Sequence, residues 1–182
     1  LSREQKLGGA FAASAYSLWG IAPLYFKQID FIAATEILVH RIVWSCLLLL
    51  LVLLALKQGA QLMRLLRQPT LILWLLFTAL ILGVNWGLFI WAVNSDHMLE
   101  ASLGYYINPL LNVLLGMLFL GERLRVLQWL ALGLAATGVV IQVVIFGSIP
   151  WVALALAGSF AVYGLLRKKL AVEAITGLFV ES

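Results

Sequence analysis

The stretch Ile32–Leu56 reads IAATEILVHRIVWSCLLLLLVLLAL and decides the fold. At a rise of about 1.5 Å per residue, a helix of this length crosses the roughly 30 Å hydrocarbon core of a bilayer. Five further apolar stretches share its character, and we predict that each is a membrane span. They are roughly Leu7–Phe26, Leu71–Asn94, Leu99–Leu120, Leu127–Phe146 and the shorter Trp151–Leu166.

The basic residues lie between alternate spans. Ten of the twelve Lys and Arg residues precede span one or follow spans two, four and six, whereas Lys27 lies in a loop on the other side and Arg41 lies inside span two. If the spans cross back and forth, the ten share one side, which the positive-inside rule assigns to the cytoplasm. We therefore predict a multi-pass membrane protein with a cytoplasmic N-terminus. The ten are Arg3, Lys6, Lys57, Arg64, Arg67, Arg123, Arg125, Arg167, Lys168 and Lys169.

The composition excludes several classes of protein. Hydrophobic residues make up 64% of the chain and charged residues 11%, which is too apolar for a soluble domain. No basic stripe alternates with aromatic residues, so we predict no nucleic-acid partner. Cys46 is the single cysteine, and the chain has neither a Ser/His/Asp set nor a glycine-rich phosphate loop. We therefore predict no enzyme and no cofactor; the expected partners are the lipid bilayer and a small-molecule substrate.

A weak internal repeat suggests how the spans are related. The segment Tyr16–Gly20 (YSLWG) resembles Phe160–Gly164 (FAVYG), and five spans separate the two copies. The copies therefore cross the membrane in opposite directions, as in the inverted repeats of many secondary transporters. The chain begins without Met and ends just after the apolar run Ala174–Val180, which we interpret as the opening of a seventh span and hence as the sign of a fragment.

Polar side chains inside the spans mark the candidate site, because hydrocarbon disfavours them unless they face protein or water. Glu36 and His40 are four residues apart and share a helix face, and no further ligand at useful spacing suggests a metal site. Asn85 and Asn108 lie near the middle of spans three and four and could meet. Such asparagines bind either substrate or a neighbouring helix, and both interpretations stay open.

Arg41 is the hardest of these residues to place in a membrane. Its guanidinium does not deprotonate in proteins, so it needs an acidic partner or an anionic ligand. Glu36 lies off its helix face, which makes Glu100 on span four the expected partner. A structural ion pair and a direct role in substrate binding are both consistent with the sequence.

Two segments resemble the RarD group of the EamA-type drug/metabolite transporters. They are Asn85–Asn94 (NWGLFIWAVN) and Glu100–Asn112 (EASLGYYINPLLN), and the turn Gly121–Leu124 (GERL) follows them. The similarity also covers Trp19–Gly20 with Pro23–Lys27, Glu36–Arg41, Gln128–Trp129 and Ser159–Lys168.

The resemblance implies a helical bundle of ten helices in two inverted five-helix repeats. Residues 1–147 would be the first repeat, and residues 148–182 would be helix six and the beginning of helix seven. A missing C-terminal repeat, or a second copy of the chain, would complete the cavity. The resemblance implies a secondary transporter of the bacterial inner membrane that moves a small metabolite or drug by alternating access, often outward.

We predict a substrate cavity lined by the polar side chains inside the spans and by nearby aromatic residues. Glu36 and Glu100 are the candidate proton carriers. The alternatives are an intramembrane enzyme that acts on a lipid, with Glu36 and His40 as acid and base, and a scaffold subunit that does not transport. The predicted site residues are Trp19, Tyr25, Glu36, His40, Arg41, Asn85, Trp91, Glu100, Tyr105 and Asn108.

Overall fold

The computed structural model describes residues 3–182, with the side chains of residues 3–6, 12 and 16 left aside. Over these residues the chain forms eight helices and no strand, which confirms the predicted all-α fold. The helices are α1 (Arg3–Gln28), α2 (Ala34–Ala55), α3 (Gly59–Leu66), α4 (Pro69–Asn94), α5 (Met98–Leu120), α6 (Val126–Phe146), α7 (Trp151–Leu170) and α8 (Ala174–Glu181).

Four of the described helices are long and apolar enough to cross a membrane, namely α2, α4, α5 and α6. Helices α1 and α7 cover the first and sixth predicted spans with 26 and 20 residues. They are less apolar because α1 begins with charged residues and α7 ends with Arg167, Lys168 and Lys169. The fold is that of a multi-pass membrane protein, and the crossing of α1 and α7 stays a prediction.

Short connections make successive long helices antiparallel. Gly121 (φ 67°) directly follows α5 and Gly147 (φ 74°) directly follows α6, and this left-handed backbone favours glycine because glycine has no Cβ. We call the end where α1, α4 and α6 finish the distal end, and the end where α2, α5 and α7 finish the proximal end. All four groups of basic residues flank helix ends at the proximal end, whereas Lys27 is distal.

The first helix of the predicted second repeat, α7, packs closely against α4 and α5. The two helices approach closely at Gly104, where an added Cβ would lie 3.1 Å from the carbonyl oxygen of Ala153. The main apolar core lies toward the distal end, where five helices meet. Its buried members are Phe26, Ile37, Phe89, Ile90, Ala92, Val93, Ala101 and Leu156.

Candidate functional site

An aromatic cluster joins four helices beside this core. The ring of Trp19 in α1 lies 5.3 Å from that of Trp86 in α4 and 5.7 Å from that of Tyr105 in α5. It also lies 6.5 Å from Phe160 in α7, with the rings edge to face. Aromatic pairs in such geometry attract beyond the area that they bury. Two predicted site residues, Trp19 and Tyr105, are therefore in contact.

Arg41 in α2 lies over one face of this cluster. Its guanidinium carbon is 3.8 Å from the centroid of the Trp86 ring, which is a cation–π contact. Such a contact contributes about 0.5–2 kcal/mol, less than the roughly 2.5–3.5 kcal/mol that a central charge costs on insertion scales. The indole ring also accepts no hydrogen bond from the N–H groups in the guanidinium plane. The contact with Trp86 therefore leaves the hydrogen-bond donors and the charge of Arg41 without a full partner.

The predicted ion pair between Arg41 and Glu100 is wrong. Among the described residues, no carboxylate oxygen lies within 4.0 Å of the Arg41 guanidinium. Glu100 Oε2 instead accepts a 3.3 Å hydrogen bond from the backbone N–H of Val152. The first turn of α7 lies beside the first turn of α5, and the N–H groups of a helix N-terminus have no partner within the helix and favour a carboxylate.

A groove between α1 and α2 brings four predicted site residues together. Its volume is about 450 Å³, and Tyr25, Glu36, His40 and Arg41 all line it. Its other walls are mostly apolar or aromatic. They are Phe26, Ile29, Ile32, Ile37, Trp44, Ser45 and Leu48.

Asn85 connects α4 to α7. Its buried amide donates hydrogen bonds of 2.9 Å to Leu156 O and 2.8 Å to Ser159 Oγ. Asn85 and Asn108 line the same cavity, but no hydrogen bond joins them. Asn108 Oδ1 instead accepts from Asn112 Nδ2 at 3.0 Å. The cavity is about 20 Å³, room for about one water molecule.

Trp91 lines neither the groove between α1 and α2 nor the small cavity at Asn85, and it lies at the distal end. Its ring stacks on His97 with centroids 4.9 Å apart. Nearby, Lys27 joins the distal loops, because its ammonium donates a 2.9 Å hydrogen bond to Asp96 and lies 3.5 Å from Asp30. The Lys27 ammonium lowers the pKa of the Asp96 carboxyl. Trp91 therefore belongs to the distal rim, not to the groove.

A buried polar cluster that the sequence did not predict lies toward the proximal end. The Glu181 side chain of α8 is fully buried and accepts a 2.6 Å hydrogen bond from Thr78 Oγ1 in α4. Its other oxygen accepts from the hydroxyl of Tyr163 at 3.0 Å, and Arg167 Nε lies 3.5 Å away. The sequence feature that could have indicated this cluster is the carboxylate of Glu181, which directly follows the apolar run that ends at Val180.

Arg41 and Glu181 lie at the same helix position in the two helix pairs that the predicted repeat would relate. Each is the eighth residue of its helix, α2 for Arg41 and α8 for Glu181. The repeat motif has Trp19 in the first helix pair and Tyr163 in the second. Trp19 contacts Trp86, on which Arg41 lies, and the Tyr163 hydroxyl donates a hydrogen bond to Glu181. One position carries a cation at the groove, and the other an anion with donors from two neighbouring helices.

The comparisons with known proteins agree with the predicted membership. The chain matches the EamA-like transporter family over residues 6–144. It is 57% identical over 180 residues to an uncharacterized transporter of Vibrio cholerae, which covers 99% of this chain and 60% of that protein. It is 55% identical over 181 residues to Protein RarD of Salmonella typhimurium, covering 100% of this chain and 62% of the relative.

A more distant relative shows the same pattern. The uncharacterized transporter YojE of Bacillus subtilis is 46% identical over 182 residues, covering 98% of this chain and 61% of that protein. No solved structure matches the chain significantly. The chain therefore spans about 60% of the length of the curated relatives that it matches. On the family match and these identities, the chain belongs to the EamA-like transporter family and is of the RarD type.

Proposed function

We propose that this chain supplies the first repeat and the beginning of the second repeat of a secondary transporter that exports a small metabolite or drug. The protein is a membrane transporter by family. The inner membrane, alternating access and the export direction belong to the proposal. The observation that carries it is Arg41, a permanent cation beside a groove of about 450 Å³ among apolar helices. Intramembrane ionisable residues of this kind mark substrate pathways.

Alternating access is supported by the different states of the two ends. The groove between α1 and α2 lies around Arg41 toward the distal end, whereas Glu181 binds α8 to α4 and α7 toward the proximal end. If the basic residues of the proximal end face the cytoplasm, the distal end faces outward. The arrangement then corresponds to a state that is open outward and held closed inward.

The division at residue 147 is also part of the proposal. It is supported by the left-handed turn at Gly147 and by the matching positions of Arg41 and Glu181. The remaining helices would come from the rest of the full-length protein or from a second copy of the chain. Glu36 and Glu100 remain proposed proton carriers, although Glu100 also binds the first turn of α7.

The test compares cells that produce the full-length wild-type protein with cells that produce an Arg41→Ala, Glu36→Gln double variant. Untargeted mass spectrometry of the medium identifies solutes that the wild type exports, and counterflow in proteoliposomes then measures the flux of each. One relative, 33% identical over 178 residues, is named "Chloramphenicol-sensitive protein RarD". Labelled chloramphenicol is therefore one defined probe. We expect a loss of at least tenfold in flux, and flux at the wild-type rate in the double variant would overturn the proposal.

A further inference from the structure

The Arg41 guanidinium carries N–H donors and lines the groove between α1 and α2. Among the described residues, the guanidinium donates no hydrogen bond, no carboxylate oxygen lies within 4.0 Å of it, and its carbon is 3.8 Å from the centroid of the Trp86 ring. The N–H groups of a guanidinium lie in one plane and point outward from its central carbon, so a contact of that carbon with a ring leaves them available to a ligand. These donors form a fork that fits a planar or tetrahedral oxyanion in a bidentate manner.

The groove beside Arg41 has the size and walls of a ligand site. A volume of about 450 Å³ falls within the range of roughly 300–1,000 Å³ that small-molecule pockets occupy. Tyr25, Phe26 and Trp44 supply aromatic walls, and four isoleucine and leucine side chains supply half of the remaining lining. Such a lining favours an apolar or aromatic body, with few polar groups to fix its orientation.

Glu36 limits the charge that the groove accepts. It lies five residues before Arg41 on α2 and lines the same groove, so its carboxylate repels any anionic ligand, and it repels a dianion about twice as strongly as a monoanion at the same distance. His40 is the other ionisable group of α2 in this groove, and Tyr25 is the one contributed by α1. A ligand with one negative charge therefore matches the groove better than a ligand with two.

We propose that the groove between α1 and α2 selects amphipathic organic monoanions, with the anionic group bound by Arg41 and the apolar body held between Tyr25, Phe26 and Trp44. The inference rests on the proposed transport function and names the substrate class of that same site. A soluble organic carboxylate and the phosphodiester of a membrane lipid share this chemistry. The experiment separates the two sources.

The probes are three molecules with one phenyl body and different head groups: 3-phenylpropionate, 3-phenylpropionamide and 3-phenylpropylamine. Their binding to the full-length protein in detergent is measured by a scintillation proximity assay with tritiated probe. We expect the carboxylate to bind at least tenfold more tightly than the amide, because only the carboxylate neutralises Arg41, and we expect the amine to bind least. Equal affinity for the carboxylate and the amide, with no phospholipid bound through Arg41, would overturn the proposal.

Four variants assign the preference to single residues. Arg41→Gln should reduce the ratio of carboxylate to amide affinity to about one, and Arg41→Lys should keep part of it because the charge remains. Glu36→Gln should raise the carboxylate affinity severalfold and leave the amide affinity unchanged. Arg64→Gln is the matched control, an exposed arginine of α3 at the proximal end, and should leave the ratio unchanged. If the ratio survives in Arg41→Gln, or falls in Arg64→Gln, Arg41 does not select the ligand.

Two further measurements are needed: one shows whether each variant folds, and the other shows whether a lipid occupies the site. The elution profile of each variant on size exclusion shows whether it folds, and Arg41→Lys keeps the test valid if Arg41→Gln does not. Native mass spectrometry then shows whether a phospholipid stays bound to the wild type and is lost in Arg41→Gln. That result, with no preference among the soluble probes, would replace the soluble anion by a lipid headgroup. If the protein prefers the carboxylate probe but shows no counterflow of 3-phenylpropionate in proteoliposomes, the proposed transport function is contradicted. The proposed anion site at Arg41 then still stands.

Discussion

Thr78 donates a 2.6 Å hydrogen bond to Glu181, which is 103 residues later in the chain. Both side chains are buried, and the same carboxylate also accepts from Tyr163 and pairs with Arg167. This one carboxylate therefore connects the predicted second repeat, through α8 and α7, to α4 of the first.

The Glu181→Gln variant should be strongly destabilised. Removing one partner of a buried pair costs about 3–5 kcal/mol in soluble proteins, because it leaves Arg167 without its counter-charge. Thr78→Val should cost less, about 1.5–3 kcal/mol, because it removes one hydrogen bond to a charged group. The midpoint of thermal unfolding of the full-length protein in detergent should follow this order.

Thr137→Val is the matched control for these two variants. The Thr137 hydroxyl donates only to Gly133 O within its own exposed helix, α6, and joins no other element. Its midpoint should stay close to that of the wild type. A Glu181→Gln midpoint as high as the control's would show that the buried cluster does not hold α8 in place.

Gly104→Ala should separate α5 from α7. The new methyl group would lie 3.1 Å from Ala153 O and 3.3 Å from Ala153 Cα, and neither backbone atom yields as a flexible side chain would. Overpacking of this kind costs about 1–3 kcal/mol. Gly138→Ala is the control, since a Cβ there meets nothing within 4 Å and should be neutral or slightly stabilising. Equal midpoints for the two variants would show that the helices do not pack this closely.

Asn85→Leu should weaken the junction of α4 with α7. The substitution removes both donors to Leu156 O and Ser159 Oγ, and interhelical hydrogen bonds in membranes contribute about 0.6–2 kcal/mol each. The exposed Asn112→Leu is the control, because Asn112 bonds only to Asn108 on its own helix. Proteolysis of the full-length protein in detergent should be faster for Asn85→Leu than for the control. Equal rates, or the opposite order, would show that the hydrogen bonds of Asn85 do not hold α4 against α7.

Glu173 should make the stability of α8 depend on pH. Its carboxylate accepts hydrogen bonds from the backbone N–H of Thr176 at 3.0 Å and from the Thr176 hydroxyl at 2.9 Å, and these hold its pKa below the ordinary value of 4.5. Since the ionised form is favoured in the folded state, this stabilisation is present above pH 4.5 and is lost as the pH falls through the lowered pKa.

The comparison is between the wild type and Glu173→Gln, with thermal midpoints measured from about pH 7 to about pH 3. The wild type should be the more stable of the two at neutral pH, and the gap should narrow in the acidic part of the range. A gap that is constant across the range would show that the Glu173 carboxylate does not cap α8 in its ionised form.

Some features of the site could be predicted because each depends on a local property. Glu36, His40 and Arg41 were identifiable as polar residues in an apolar stretch, and they share a groove because they lie on one short segment of α2. The partners of Arg41, Glu100 and Asn85 could not be predicted. Each depends on which helix lies beside which, and α7, which supplies the partners of Glu100 and Asn85, lies more than fifty residues away in the chain.

The sequence by itself determined the helices, their order and the side on which the basic residues gather. Hydropathy and charge act residue by residue along the chain, and short connections leave neighbouring long helices only the antiparallel direction. Only the tertiary structure decided that Arg41 lies on Trp86, that Glu100 binds the start of α7 and that Glu181 joins α8 to α4. Those contacts depend on the rotation and depth of each helix against its neighbours, and close packing at small residues such as Gly104 sets both.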